Sequence, residues 1–127
     1  MTLWLVRAGR HGEQEQTALD HSVAVIGWIT LPDLSNIKSK DDLKTLFEKI
    51  YPERKKMAVA NEVSQVWAFI NRTQTNDIVV LPLKQRSAIA IGQVTGPYQY
   101  RKDLSPNTHH TRPVKWLRTD IPRTAFD

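Results

Sequence analysis

The apolar residues of this chain repeat with two different periods, and the order in which those periods alternate limits the fold more than any other feature. Residues 3–8 (Leu-Trp-Leu-Val-Arg-Ala) are rich in β-formers and stop at Gly9, which predicts a first, largely buried strand. Residues 23–28 predict a second buried strand, with Gly27 near its end to allow an unusual turn or a close approach. Between them, polar residues 13–20 with Ala18 and Leu19 on one side predict a short helix. Then the period changes. Leu43, Leu46, Phe47 and Ile50 fall at i, i+3, i+4 and i+7 behind Ser39 and Asp42, a capping box with Asp in place of Glu, and Pro52 ends that helix. Val59, Val63, Val66, Trp67 and Ile70 mark one face of a second helix over residues 53–72. Asn76 and Asp77 turn the chain back into strands over residues 78–83 and 88–94, joined by a polar hairpin loop at 84–87. Gly96 and Pro97 break the second of these, residues 101–111 predict an exposed loop, and residues 114–118 predict the last strand. This order suits an α+β fold, a curved mixed β-sheet or small barrel packed by helices.

A length of 127 residues buries the core of one domain and is short for two, so the whole chain, 1–127, is expected to form a single domain. Hydrophobic residues at 40% and charged residues at 24% are ordinary for a globular protein, which argues against disorder or a fibre. No stretch approaches the roughly 20 consecutive apolar residues of a membrane helix. The short apolar run at the start is followed by Arg7 and Arg10, the reverse of a secretory signal, so the expected location is the cytoplasm.

Charge placement is more informative than the net value of +5. Residues 1–83 carry ten Lys or Arg and ten Asp or Glu, whereas residues 84–127 carry eight and three. The excess sits in the last third, and a basic surface segment favours a polyanion such as DNA or RNA.

The signals for catalysis are weak. With no cysteine, disulfides, thiolate metal sites and cysteine nucleophiles are excluded. His109 and His110 are adjacent, so on a strand they point opposite ways and do not share a metal, while His11 and His21 are isolated. The Walker loop, the Gly-x-Ser-x-Gly elbow and the dinucleotide turn are absent. Asp77 and Asp103 lie at turns, and Asp41, Asp42 and Glu48 on the polar side of a helix, positions that suit caps and a solvated face. A binding domain without enzyme activity, cofactor or metal is expected.

Together, the first strand, the Gly-Trp that ends the second and the late hairpin resemble the PUA-like superfamily, close to its EVE and YTH domains. Residues 3–9, Val25-Ile26-Gly27-Trp28 and Leu31-Pro32-Asp33-Leu34-Ser35 are similar to the N-terminal sensor domains of Mrr-type modification-dependent restriction endonucleases. Residues 77–83 and 89–94 support the likeness, which covers nearly the whole chain and is most specific at Ile26-Gly27-Trp28.

The resemblance implies a DNA-binding sensor that flips a modified, methylated base into an aromatic pocket and licenses an attached or partner nuclease. Trp28 is the implied cage tryptophan, with Arg7, Ala8 and Gly9 at the pocket wall. YTH domains take a second aromatic from the loop before the last strand. Residues 101–111 hold no tryptophan, which leaves Tyr98, Tyr100 or His109 in that role. Lys84, Arg86, Arg101, Lys102 and Arg112 are the cations expected to contact the nucleic-acid backbone. Trp4, Trp67 and Trp116 are expected in the core. An RNA-binding module, a small-molecule or nucleotide sensor, and a hydrolase with an unrecognised site remain alternatives. A nuclease domain is not part of this chain, and an isolated sensor or a piece of a longer protein is expected.

Overall fold

A computed structural model describes residues 2–9, 12–105 and 108–126. In chain order it contains β1 (Leu3–Leu5), α1 (Glu15–Asp20), β2 (Val23–Ile26), α2 (Lys40–Ile50), α3 (Lys56–Trp67), a π-helical turn (Ala68–Arg72), β3 (Ile78–Pro82), β4 (Ala88–Val94), β5 (Gln99–Ser105), β6 (Thr108–Pro122) and a closing 3-10 turn (Arg123–Phe126). The fold is α+β: a six-stranded mixed sheet with three α-helices. Along its main path the strands run β1, β3, β4, β6, β2. β1 and β3 are parallel and the other pairs antiparallel. β5 pairs with the first residues of β6 and β4 with the remainder, while β2 takes the opposite edge of β6.

Local chemistry accounts for most of these elements. Ser39 takes an extended backbone and its hydroxyl accepts from the Asp42 N–H at 3.1 Å, so α2 starts where the capping residues predict. Asn76 turns through a left-handed φ of +80°, and Asp77 follows it into β3. The tip of the β3–β4 hairpin is pinned by Glu15 of α1, a buried carboxylate that accepts from the N–H groups of Lys84 (2.6 Å) and Gln85 (3.2 Å).

Three buried clusters divide the interior. Val23, Val25, Leu81, Leu83 and Ala90 meet Ala8 and Ala18; Ala24, Val79, Val94 and Val114 meet Phe69; Leu43, Phe47, Val59, Val63 and Val66 bind α2 to α3 and take in Leu31 and Leu34. Among the described residues no helix is long and apolar enough to cross a membrane.

Four expectations need correction. The first strand is only three residues long, and Leu3 and Leu5 are exposed, because β1 ends the sheet and has a single neighbour. The second long helix begins at Lys56 rather than at residue 53, and its last turn widens into the π turn. Of the exposed loop expected over 101–111, residues 101–105 belong to β5 and 108–111 to β6, while 106 and 107 lie outside the described residues. β5 is polar because much of it faces water, and a solvated marginal strand has the composition of a loop. The last strand extends well beyond residues 114–118, because the polar Thr108, His110, Thr111 and Arg112 at its start are buried in the sheet, and four strands rather than three follow the helices.

Candidate functional site

The terminal strands β1 and β2 are not paired with one another. Between their ends, with α3 and the π turn as a third wall, lies a cleft of about 770 Å³. Trp4, Val6, Ile26, Trp28 and Phe69 make most of its surface apolar, and Arg7, Ser64, Gln65 and Thr73 add polar groups. Its volume is typical of small-ligand sites, roughly 300–1,000 Å³.

Trp28 occupies the rim in an unusual conformation. Its φ is +56°, a left-handed value that for a bulky residue costs on the order of 1–3 kcal/mol and persists only where the surroundings over-determine it. Several contacts do so. The Trp28 carbonyl accepts from the Leu31 N–H at 2.9 Å and lies 3.2 Å from His110 Nε2. His110 is fully buried, and its Nδ1 is 2.7 Å from the Tyr98 hydroxyl, which accepts from the Leu34 N–H at 3.2 Å. The indole Nε1–H donates to Glu62 on α3 at 2.8 Å, and Glu62 also pairs with Arg54, whose guanidinium lies 4.0 Å over the Tyr51 ring. Phe47 packs edge-on to the indole at 6.4 Å. Burial holds the His110 imidazole below the usual histidine range and pushes the Tyr98 phenol above its own, so both are neutral near pH 7.

The opposite wall is anchored by charges. Trp4 Nε1 donates to Asp77 at 2.8 Å, and the same carboxylate accepts from the N–H groups of Gln74 (2.9 Å) and Thr2 (3.0 Å). Burial alone would raise the Asp77 pKa, yet these donors hold it below the usual carboxylate range. The buried guanidinium of Arg112 donates to the carbonyls of Gly96 (3.2 and 3.0 Å), Phe69 (3.2 Å) and Thr73. It thereby satisfies carbonyls at the end of the π turn, where the helix leaves the cleft.

The domain-of-unknown-function family DUF8426 has a model that matches residues 4–126. The chain belongs to that family. The match spans every element from Trp4 to the closing turn, so the cleft is part of the DUF8426 domain itself. No curated protein matches the chain.

The DUF8426 fold brings together only some of the residues expected at a pocket. Arg7, Gly9 and Trp28 line the cleft. Gly9 has a φ of +88°, and a Cβ there would collide with the Glu13 carboxylate. Ala8 is instead in the core, packed with Val23 and Leu81. Tyr98, Tyr100 and His109 are absent from the cleft lining. Tyr98 serves His110, and the Tyr100 ring packs on His109 and His110 at 5.4 Å each. The aromatic residues that share the cleft with Trp28 are Trp4 and Phe69; Trp4 is half-buried and also packs against the cluster of Phe69, Val79 and Val94. Trp67 and Trp116 are half-buried against the hydrophobic clusters. Gly27 has open space where a Cβ would project, and the unusual backbone angle falls on Trp28.

The expected phosphate-contacting cations separate too. Lys84 and Arg86 are exposed at the hairpin tip. Arg101 pairs with Asp103 at 2.8 Å, and Lys102 lies 5.8 Å over the Tyr100 ring. Arg112 is buried and bound to backbone, which removes it from any phosphate surface. Among the described cations, Arg7 belongs to the cleft lining and Arg72 lies 5.8 Å over the ring of Trp4. His11 lies outside the described residues, which hold no cluster able to bind a metal.

Two signals for the missed residues were present. Glu62 is three residues after Val59 and four before Val66, at the margin of the apolar stripe of α3. The adjacency of His109 and His110 meant that one of them would face inwards; it is His110. Nothing in the local pattern marks Trp4.

Proposed function

We propose that this domain is a PUA-like sensor that receives a flipped-out, modified base of DNA in the cleft, stacked against Trp28. The observation that carries this reading is a tryptophan held in a left-handed conformation at an apolar cleft, between the ends of two strands that do not pair with one another. Stacking on an aromatic ring contributes roughly 1–3 kcal/mol per base, against a flipping cost of a few kcal/mol. A buried methyl group adds about 0.8 kcal/mol, so discrimination by such a cleft works on small margins. Trp4 and Phe69 supply further apolar surface, and Arg7 and Arg72 are placed to meet phosphates beside the site. The domain recognises and does not itself cut; a nuclease on another domain or partner would act on the signal, in the cytoplasm.

A second reading has one specific observation in its favour. None of the five cations expected to grip a nucleic-acid backbone lines the cleft, which suits a small planar ligand without a polymer.

Fluorescence polarisation on duplexes that differ in one base (unmodified, 5-methylcytosine, 4-methylcytosine or 6-methyladenine) separates the two. Tenfold preference for one modified duplex, about 1.4 kcal/mol, abolished in Trp28→Ala and weakening with salt, is the expected result. Equal, Trp28-independent binding to all four duplexes would overturn the base-flipping reading. Tighter binding of RNA of the same sequence would move it to RNA, and salt-independent binding of a free nucleoside would favour the small ligand.

A further inference from the structure

Trp28 presents its ring to the cleft from a backbone conformation that tryptophan rarely adopts, and the groups that enforce it lie outside the cleft. The hydrogen-bond directions in this network can be deduced. Tyr98 Oη accepts from the Leu34 N–H, so its own proton is free to go to His110 Nδ1, 2.7 Å away. Nδ1 is then a bare acceptor, and the ring proton of the neutral imidazole sits on Nε2. That nitrogen faces the Trp28 carbonyl at 3.2 Å and donates to it. The carbonyl thus takes two donors, His110 Nε2–H and the Leu31 N–H, one for each lone pair. The relay clamps the segment from Trp28 to Leu34 at both ends, and the Tyr98 and His110 rings stack at 5.9 Å with 22° between their planes.

We propose that Tyr98 and His110 are a positioning pair that sets the backbone of Trp28 and through it the presentation of the indole to the cleft. The proposal rests on the base-binding reading only for its functional consequence; the coupling of the pair to Trp28 is a property of the free protein. Neither residue lines the cleft, so their influence on a bound base is indirect, and the hydrogen bond from His110 to the Trp28 carbonyl is the contact that reaches the indole's own backbone.

Nitrogen-15 spectra of the free chain test the coupling. The four tryptophans give four indole signals, and Trp28→Phe assigns the relevant one. Tyr98→Phe should shift the Trp28 signal while leaving that of Trp116, whose N–H donates to the Ala18 carbonyl, in place. In the native chain the His110 ring nitrogens should report the Nε2–H tautomer, a measurement that stands even if the variant fails to fold. An Nδ1–H tautomer, an imidazolium at pH 7, or a folded Tyr98→Phe with an unmoved Trp28 signal overturns the pair.

The duplex panel then tests the consequence. Tyr98→Phe should lower the preference for the modified duplex by about fivefold, the step that one hydrogen bond supplies, with binding of the unmodified duplex unchanged. A shifted signal with undiminished preference refutes the pair's role in recognition. If the native chain shows no preference but the signal moves, the base-binding reading fails and the positioning pair stands. If preference is present and the signal does not move, the pair fails and the base-binding reading stands.

Discussion

The two walls of the cleft are held by charges at different depths. The Trp28 backbone hangs from a neutral relay through His110, Tyr98 and Leu34 and its indole from the part-exposed Glu62–Arg54 pair, whereas the wall formed by Trp4, Phe69 and Thr73 is fixed by buried charges on Asp77 and Arg112. Strand β6 serves both, since His110 and Arg112 are two residues apart on it and share one face. A buried ion cannot shift without leaving a charge or several carbonyls unpaired, which costs more than a rearranged neutral hydrogen bond. The buried charges therefore hold their wall more stiffly than the neutral relay holds the Trp28 backbone.

The sharpest way to break this contrast is Arg112→Met, which keeps the volume and strands three buried carbonyls. A loss of about 3–5 kcal/mol in urea unfolding is expected. A loss below 1 kcal/mol would show that the charge is not what fixes this wall. Asp77→Asn comes next, because an amide cannot accept all three N–H donors; about 1–3 kcal/mol should be lost. The native Asp77 carboxyl titrates below its usual range, so its contribution is complete above pH 4 or so and disappears as pH falls through the native pKa. Urea midpoints measured down to pH 2 should fall less steeply in Asp77→Asn.

Smaller effects are expected in the neutral relay. Tyr98→Phe should lose about 1–2 kcal/mol, with the Leu34 N–H and His110 Nδ1 left unpaired. The native His110 titrates below about 6.5, the ordinary histidine value, because burial opposes its charge. The unfolded chain then binds the extra proton, and stability falls as pH drops from about 6.5 towards the native pKa. His109, Asp33, Tyr98 and Tyr100 surround the ring, and His110→Gln should flatten this slope. A slope untouched by His110→Gln would assign it to another group. The smallest effect belongs to Arg101→Ala, which removes an exposed pair with Asp103 and should leave the unfolding midpoint unchanged.

Much of the fold was legible. Helix α2 with its cap, the β3–β4 hairpin and the Asn76–Asp77 turn all follow from short-range periodicity and turn chemistry. β5 and the start of β6 were not: β5 is an exposed strand with the polar composition of a loop, and the polar residues that open β6 are buried only because β2 and β5 pair on either side of it. The site was half legible. Trp28, Arg7 and Gly9 stand at the cleft, but a position next to a pocket residue in sequence says nothing about depth, and Ala8 is core.

By itself the sequence determined most of the helical and extended segments, where the charge excess lies, and that cysteine chemistry is excluded, since these depend on composition and on neighbours within a few residues. Only the tertiary structure decided that Arg112 is a buried brace rather than a surface cation, that Trp4 faces a cleft, and that His110 rather than His109 reaches Trp28. Burial and hydrogen-bond partners come from residues 34 to 82 positions away for the pairs that shape this cleft, Trp28 with Glu62 and with His110, and no local pattern encodes such a distance.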